Sequence, residues 1–257
     1  MTDDILLRHD HGTITTLTLN APSTINALST AMLTRLGGAL EAIAGSAQRV
    51  VILRATGRNF CAGHDLREIQ SYRSDADLGA AAFATLFALC ARVMQQLTTL
   101  PQPVIASVQG IATAAGCQLA ASCDMVVAAD TARFGVNGVN IGLFCHTPLV
   151  ALSRKIAPAQ AFELAATGEF MPAARAYQLG LVTRLAAPDD LDTVTQTLAT
   201  TLASKLPVAM TMGKAAAAQP LQQAYDHATQ VMVENLLHPA TAEGIDAFLA
   251  KRAPNWS

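Results

Sequence analysis

The sequence predicts an α/β fold followed by a helical tail. Short apolar, β-branched segments alternate with segments of helical periodicity between residues 5 and 129, and strands separated by helices imply an α/β core. From about residue 158 the patterns are almost wholly helical. The 257 residues suffice for one large domain, or a domain with an appendage, around an ample core.

The N-terminal elements follow from local patterns. Residues 5–20 alternate apolar and polar side chains on either side of HDHG, which predicts a β-hairpin. A serine begins the helical spacing of residues 29–45, although a GG pair weakens its middle. The segment RVVILRAT, residues 49–56, is typical of an apolar strand.

A long helix and a strand–helix–strand unit are predicted next. Residues 76–98 place a set of apolar side chains on one helical face: Phe83, Leu86, Phe87, Cys90, Val93, Met94 and Leu97. The segment PQPVIASVQG starts a strand after its prolines, a helix covers about 114–122, and DMVVAA predicts another strand.

The C-terminal third reads as consecutive helices. Two of them end at Gly168 and Gly180, and long helices fill residues 189–252. We therefore divide the chain into an α/β core, 1–190, and a helical region, 191–257. A tail of this kind either caps the core or packs on a neighbouring subunit, and the pattern does not choose between the two.

Composition and charge exclude several classes of partner. A net charge of -2 argues against nucleic-acid or anionic-membrane surfaces. The acidic start, MTDDILLRHD, is unlike a basic targeting leader. The longest apolar region, 104–130, is interrupted by Gln109, Gln118 and Asp124, so we expect no membrane span. The expected location is the cytoplasm.

The cysteines and histidines predict no metal centre. Five cysteines without a CxxC pair fit buried thiols in a reducing compartment better than a disulfide framework or a zinc site. His9 and His11 could share one strand face, but no third ligand lies near them in sequence.

Two strand-to-helix turns carry the chemistry of interest, since GxSxG, GxGxxG, P-loop and HExxH motifs are all missing. The first turn is GRNFCAGHDLREI, in which Gly63 permits a sharp turn and Asp65 with Glu68 has capping-box spacing. The second is QGIATAAGCQLA. Free N–H groups at two helix starts could converge on one oxygen. Alternatively, both turns use small residues only for tight helix–sheet packing.

Six segments, in order along nearly the whole chain, resemble the crotonase (enoyl-CoA hydratase/isomerase) superfamily. They are LNAPSTINALSTAM, NFCAGHDLREI, PVIASVQGIATAAGCQLAASCDMVVAAD, TARFGVNGVNIGL, MPAARAYQLGLVTRL and AEGIDAFLAKRAPNW. The resemblance implies a spiral of repeated ββα units, a C-terminal helical trimerisation region and a homotrimer or hexamer. It also implies an acyl-CoA or enoyl-CoA ligand, with coenzyme A as part of the substrate thioester and no permanently bound cofactor.

Carried over by position, the resemblance assigns an oxyanion hole to the backbone N–H groups of His64 and Ala115. Hydratases of this superfamily use two glutamates, whose positions here hold Gln118 and Gly138. An amide cannot act as a general base, and each positioned acid or base typically contributes about 10²- to 10⁴-fold. We therefore expect poor hydration of enoyl-CoA with the thioester-binding machinery retained.

Other polar residues could replace the missing carboxylates. Gln118 can still orient a water or an acyl group by hydrogen bonding. His64 ranks first as a substitute acid or base, because it follows Gly63 beside the expected acyl pocket and titrates in the useful range. Asp65 either tunes that imidazole or caps a helix. Four further residues are expected at the far wall of the pocket: Asn137, Asn140, Cys145 and His146. The two asparagines fit turns, and the histidine fits a surface or capping role.

The expected coenzyme A contacts also depart from the superfamily pattern. Thr24 and Ile25 stand where Lys or Arg often meets the phosphates. The adenine and pantetheine path is assigned, largely through backbone groups, to Ala27, Leu28, Ala62, Asp65 and Leu66. Lys251 and Arg252 either supply charge to the phosphates, from this or a neighbouring subunit, or are ordinary solvated cations.

Two functions remain open. One is an enzyme of the enoyl-CoA hydratase/isomerase type, a lyase or isomerase of fatty acid metabolism with atypical acid/base residues. The other is a non-catalytic acyl-CoA-binding or regulatory protein. The missing carboxylates favour the second, whereas the retained oxyanion-hole pattern and His64 favour the first, because one fold hosts many reactions.

Overall fold

A six-stranded and a three-stranded sheet form the framework of the computed structural model, which describes residues 4–217 and 222–255. The strands are β1 (Leu6–His11), β2 (Ile14–Leu19), β3 (Val50–Ala55), β4 (Val104–Val108), β5 (Ile111–Thr113), β6 (Met125–Ala129), β7 (Arg133–Gly135), β8 (Phe170–Pro172) and β9 (Arg184–Ala186). The larger sheet has the order β1-β2-β3-β4-β6-β9, and the smaller has the order β5-β7-β8.

The larger sheet is parallel apart from its N-terminal hairpin. Strands β1 and β2 pair antiparallel, with Leu6 opposite Leu19, whereas β2 pairs parallel with β3, with Leu19 opposite Ala55. Every residue of β4 is buried, and so are five of the six positions of β3. Burial on both faces is expected where helices cover both sides of a parallel sheet.

The described residues form eleven α-helices and three short 3₁₀ helices. The α-helices are α1 (Thr30–Ala44), α2 (Leu66–Tyr72), α3 (Ala80–Thr99), α4 (Ala115–Ser122), α5 (His146–Leu152), α6 (Pro158–Thr167), α7 (Ala173–Leu179), α8 (Leu191–Ala203), α9 (Pro207–Ala217), α10 (Gln222–Leu237) and α11 (Pro239–Leu249). The 3₁₀ helices span Pro22–Thr24, Asn137–Ile141 and Pro188–Asp190.

Helix α3 is the one helix among the described residues that is long and apolar enough to cross a membrane by length and composition alone. The seven apolar side chains that the sequence places on one face are all buried, from Phe83 to Leu97. The helix packs against α1 and α10. Its apolar composition is therefore that of a core helix.

Local signals explain where several helices begin. The Ser29 hydroxyl caps α1 by accepting a hydrogen bond from the Met32 N–H at 3.2 Å. Helix α3 begins at Ala80 rather than near residue 76, because Asp77 accepts hydrogen bonds from the Gly79 and Ala81 N–H groups and caps the helix there. The small sheet and β9 have no counterpart in the sequence-based prediction, because three-residue strands carry little periodicity. Helix α5, of seven residues, is also absent from that prediction.

The tail contributes to the core from its first helix onward. Helix α8 packs against β3, β4 and β6, while α10 packs against α3 and α5. Lys214 of α9 lies 2.7 Å from Asp124 and also donates to the carbonyls of Leu97 and Gln102. The domain boundary between residues 190 and 191 stays a prediction.

All five cysteines are buried and free of disulfides. Burial raises the pKa of Cys61, Cys90, Cys117 and Cys123 to about 12. These thiols are therefore protonated near neutral pH. Within residues 4–217 and 222–255, no group of three His, Cys, Asp or Glu side chains is placed to hold a metal ion.

Candidate functional site

Backbone hydrogen bonds bring the two predicted turns together. The N–H groups of Phe60 and Cys61 donate to the Ile111 carbonyl at 3.0 and 3.1 Å. In return, the Thr113 N–H donates to the Cys61 carbonyl at 3.0 Å. The loop after β3 therefore runs along β5 and reaches the start of α4.

Gly63 lies in contact with the start of α4. It has a φ of +92°, and a Cβ built on it would lie 2.9 Å from the Ala114 Cβ and 3.1 Å from the Ala115 amide nitrogen. A side chain at this position would therefore be strained and would crowd that amide. The absence of a side chain lets His64, the next residue, follow directly beside the start of α4.

The backbone at Ala114 is held in an unusual conformation. Its φ of 49° and ψ of -124° lie in a region that favours glycine, which costs on the order of 1–3 kcal/mol for other residues. The Ala114 N–H donates to the Gly135 carbonyl at 2.9 Å, which anchors the turn to β7. Ala115 is then the first residue of α4, where an N–H group has no partner within the helix.

Neither the His64 nor the Ala115 N–H group donates a hydrogen bond to any described residue. The start of α4 has no side-chain cap and no acidic residue in its first turn. Unpaired N–H groups at a helix N-terminus attract an oxygen that carries negative charge. Both N–H groups therefore lie without a partner beside the contact between Gly63 and the start of α4.

Gln118 lies one turn further along α4 and is completely buried. Its Nε2 donates to the hydroxyl of Tyr225 on α10 at 3.3 Å. Its Oε1 is buried without a hydrogen-bond partner among the described residues. An unpaired buried carbonyl oxygen is costly, so this Oε1 keeps an unused capacity to accept a hydrogen bond.

Gly138 leaves no room for a side chain. A Cβ at this position would lie 2.3 Å from the Leu143 carbonyl oxygen and 2.8 Å from the Cys145 Sγ. Burial raises the pKa of Cys145 to about 11, so its thiol is protonated near neutral pH. The place that the resemblance assigns to a second glutamate is therefore filled by the protein itself.

His64 is held as a neutral imidazole. Its Nδ1 lies 3.2 Å from the Leu28 carbonyl oxygen, and its ring contacts Phe87 edge-on at 5.2 Å between centroids. A carbonyl only accepts, so Nδ1 carries the proton and Nε2 has the lone pair. Burial lowers the pKa of His64 to about 4, and Nε2 is buried without a partner in the described part of the chain.

Asp65 caps a helix, one of the two roles predicted for it. Its carboxylate accepts hydrogen bonds from the Arg67 and Glu68 N–H groups at the start of α2. Glu68 does not complete the capping box, because its carboxylate accepts from the Thr30 N–H at 2.9 Å instead. That contact ties α2 to the beginning of α1.

The remaining polar residues of the far wall make structural contacts. Asn137 accepts a hydrogen bond from the Thr113 hydroxyl at 2.7 Å, and Asn140 donates to the Gly168 carbonyl at 3.3 Å. His146 is half-buried and contacts the Phe144 ring at 5.1 Å between centroids. Both asparagines thus shape turns, as their residue type predicts.

Much of the predicted coenzyme A path lies beside these turns, and part of its backbone is already hydrogen-bonded. The Leu28 N–H donates to the Gly63 carbonyl at 2.7 Å, and the Ala62 N–H donates to the Ile25 carbonyl at 3.0 Å. Ala27 is buried, whereas Leu66 is half-buried.

The two C-terminal cations differ in their surroundings. Arg252 pairs with both carboxylate oxygens of Glu243, at 2.6 and 2.8 Å. Its guanidinium is therefore engaged within its own region of the chain. Lys251 is exposed beside it. A cleft of about 640 Å³ lies between residues 139–142, which follow Gly138, and helices α10 and α11.

Two residues of the site were given no role by the sequence-based prediction, although Asn26 lies in one of the segments that carry the resemblance. Asn26 is fully buried, accepts from the Ala21 N–H and donates to the carbonyls of Thr56 and Asn59, which fixes the N-terminal turn beside the loop after β3. Tyr225 is also fully buried, and a single tyrosine in a helical pattern is indistinguishable from a core residue.

Comparisons with known proteins agree with this architecture. The sequence profile of the family described as "Enoyl-CoA hydratase/isomerase" matches residues 9–257. The chain is 41% identical over 249 residues to mouse (Mus musculus) "Enoyl-CoA hydratase domain-containing protein 3, mitochondrial", covering 95% of this chain and 81% of that protein. It is 36% identical to Escherichia coli K12 2,3-dehydroadipyl-CoA hydratase, covering 93% of each chain.

A solved structure extends the likeness to the three-dimensional fold. The crystal structure of an enoyl-CoA hydratase from Mycobacterium smegmatis matches with a TM-score of 0.80 and 45% sequence identity, over 99% of both chains. These matches span almost the whole molecule and confirm the predicted resemblance and fold class. The chain belongs to the enoyl-CoA hydratase/isomerase family.

Proposed function

We propose that this protein binds the thioester carbonyl oxygen of an acyl-CoA or enoyl-CoA between the backbone N–H groups of His64 and Ala115. The observation that carries the proposal is that both amides are unpaired while Gly63 holds their segments in contact. Family membership supports a coenzyme A thioester as the ligand. Such preorganised donors stabilise the negative charge that develops on the oxygen of an enolate.

The proposed chemistry proceeds without the two carboxylates of ordinary hydratases. Gln118 stands at one position, and the space beside Gly138 is filled. The other polar groups near these positions are neutral near pH 7, because burial keeps His64 deprotonated and Cys145 protonated. We therefore assign a lyase or isomerase activity of the enoyl-CoA hydratase/isomerase type that depends chiefly on polarising the thioester carbonyl.

A non-catalytic acyl-CoA-binding role is the second candidate. It is favoured by the Cys145 side chain, which lies where a catalytic carboxylate would have to begin. A screen of diverse acyl-CoA and enoyl-CoA thioesters for product formation, with binding measured in parallel, separates the two. Binding with turnover of any thioester supports the enzyme, and binding without turnover across the screen supports the second role.

The carbonyl-binding step can be tested without altering the protein. Butyryl-CoA and its thioether analogue, S-butyl-CoA, differ at the carbonyl group alone. Losing hydrogen bonds worth about 1–3 kcal/mol weakens binding by about 5- to 150-fold. Calorimetric titration should therefore give a clearly weaker affinity for the thioether. Equal affinities would contradict the proposed role of the two amides.

A matched pair of glycine variants tests the same step from the side of the protein. Gly63→Ala places a methyl group about 3 Å from the Ala115 nitrogen and should weaken butyryl-CoA binding at least tenfold. In Gly38→Ala the new Cβ meets nothing within 4 Å, so binding should be unchanged. Circular dichroism confirms that each variant is folded before titration.

We also propose a homotrimer, or a hexamer formed from two trimers. Helices α9 and α11 expose four large apolar side chains: Val208, Met212, Phe248 and Leu249. Surfaces of this kind are typical of protein interfaces. Light scattering of the purified protein measures the assembly directly, and a monomer would contradict this part of the proposal.

A further inference from the structure

Two lysines converge on Asp124, away from the site described above. The side chain of Lys155, in the turn after α5, donates to the Asp124 backbone carbonyl at 3.1 Å. Lys214 of α9 lies 2.7 Å from the carboxylate of the same residue. Asp124 immediately precedes β6, so the two ammonium groups meet at the start of that strand.

The two ammonium groups have unequal partners. Lys214 uses all three of its N–H donors, because it bonds two backbone carbonyls in addition to the Asp124 carboxylate. In the described part of the chain, the Lys155 ammonium group has one hydrogen-bond partner, the Asp124 carbonyl. Lys155 thus lies near a second cation, while the nearby carboxylate is engaged by that cation.

These surroundings favour the neutral amine at Lys155. Its side chain is half-buried, and an ammonium group loses its proton more readily when it leaves water or lies near a like charge. Burial is the main cause that lowers the pKa of Lys155, and Lys214 lowers it further, whereas Asp124 and Cys123 oppose the shift. A neutral amine carries the free electron pair that a nucleophile needs.

We propose that Lys155 is the amine of this chain that acyl-CoA thioesters acylate most readily. The neutral Nζ attacks the thioester carbonyl carbon, a C–N bond forms, and the C–S bond breaks. Coenzyme A leaves as its thiolate and takes up the proton that the amine releases, so the products are an acyl-lysine and the free thiol. The thioester reacts from solution, so the inference does not depend on carbonyl binding at His64 and Ala115.

The acylated side chain is compatible with the same surroundings. Its amide keeps one N–H group, which can still donate to the Asp124 carbonyl. Acylation removes the positive charge of Lys155 and with it the repulsion between this side chain and Lys214. The ion pair between Lys214 and Asp124 is left in place. We therefore expect the modified protein to stay folded.

The test uses all the lysines of the chain, which are Lys155, Lys205, Lys214 and Lys251. Peptide mass spectrometry measures their acetylation after incubation of the protein with acetyl-CoA at pH 7.5, and the same reaction in concentrated urea corrects for the peptide context. Only about one ordinary lysine amine in 1,000 is neutral at this pH. Lys155 should therefore react at least about fivefold faster than the exposed Lys205 and Lys251. Lys214, with every donor occupied, should be the slowest.

A pH profile and two variants test the cause of this reactivity. Trace labelling of the wild-type protein with acetic anhydride between pH 7 and 11 should level off at a lower pH for Lys155 than for Lys251. Lys214→Met releases the Asp124 carboxylate to Lys155 and should slow its acetylation at least about fivefold. Lys205→Met removes an exposed lysine and should leave the rate at Lys155 unchanged. Circular dichroism confirms folding; should Lys214→Met not fold, the wild-type pH profile carries this part of the test.

The outcomes distinguish this inference from the proposed function. A rate at Lys155 that is no higher than at Lys205 and Lys251 overturns the inference, and so does a pH profile with the same midpoint as that of Lys251. An unchanged rate in folded Lys214→Met overturns the contribution of the second cation. Fast acetylation of Lys155 in a protein that does not bind butyryl-CoA supports this inference and overturns the proposed function.

Discussion

Replacing His64 by asparagine should remove an acid-sensitive component of stability. The side-chain amide of the new asparagine can still donate to the Leu28 carbonyl, but the residue no longer titrates. Burial lowers the pKa of His64 to about 4, from 6.5 in the unfolded chain. The unfolded state therefore binds more protons between these values, and stability falls as the pH drops from about 6.5 toward 4.

The magnitude follows from the size of the shift. A difference of about 2.5 pKa units corresponds to about 3 kcal/mol at pH 4, of which about 2 kcal/mol is already lost at pH 5. Carboxylates whose pKa is lowered, such as Asp10, Asp77 and Glu243, titrate below this window. The interval between pH 6.5 and 5 therefore lies above the titration of these three carboxylates in the folded protein.

The assay is urea unfolding of wild type and His64→Asn at pH 7.5, 6.5, 5.5 and 5.0. The wild-type free energy of unfolding should fall by about 2 kcal/mol across this series, and the variant should lose much less. His11→Asn, at an exposed position of β1, serves as the control and should retain the wild-type slope. Equal slopes for wild type and His64→Asn would refute the reasoning.

Three further predictions concern Gly138, Gln118 and Lys214. Gly138→Ala should destabilise the fold by about 3 kcal/mol or more, because its Cβ would lie 2.3 Å from a carbonyl oxygen. Urea unfolding measures this change in stability. The control is Gly38→Ala, whose Cβ meets nothing within 4 Å and which should be neutral or stabilising. Gln118→Glu restores one carboxylate and should raise crotonyl-CoA hydration by up to about 10²-fold in a spectrophotometric assay; no gain would indicate that the pocket does not hold a water beside this residue. Lys214→Met removes the ion-pair partner of the partly buried Asp124 carboxylate, which keeps its hydrogen bond from the Val104 N–H, and should cost about 2–4 kcal/mol of unfolding free energy. Arg8→Met, which breaks an exposed ion pair, should change the unfolding free energy by less than about 1 kcal/mol.

The sequence predicted the elements whose signals are local. Ser29 and Asp65 mark helix starts by their hydroxyl and carboxylate groups, and both cap their helices. The apolar face of α3 follows from helical spacing, and its members are buried. The fold class followed from the order of such elements, while the short strands β5, β7 and β8 were missed because three residues have too little pattern.

The roles of individual site residues depended on distant contacts. His64 was expected to be a titrating group beside the pocket, yet burial, including the contact with the Phe87 ring, lowers its pKa to about 4. Gly138 was recognised as lacking a carboxylate, but the sequence did not reveal that Cys145 fills the adjacent space. Both effects come from contacts with residues elsewhere in the chain.

By itself, the sequence determined the fold class and the absence of carboxylates at positions 118 and 138, since residue type and periodicity are properties of the chain. Only the tertiary structure decided that Gly63 meets the start of α4 and that Tyr225 contacts Gln118 across 107 residues. The physical reason is that hydrogen-bond satisfaction and free volume depend on which distant segments pack together. Neither quantity is encoded in any short stretch of sequence.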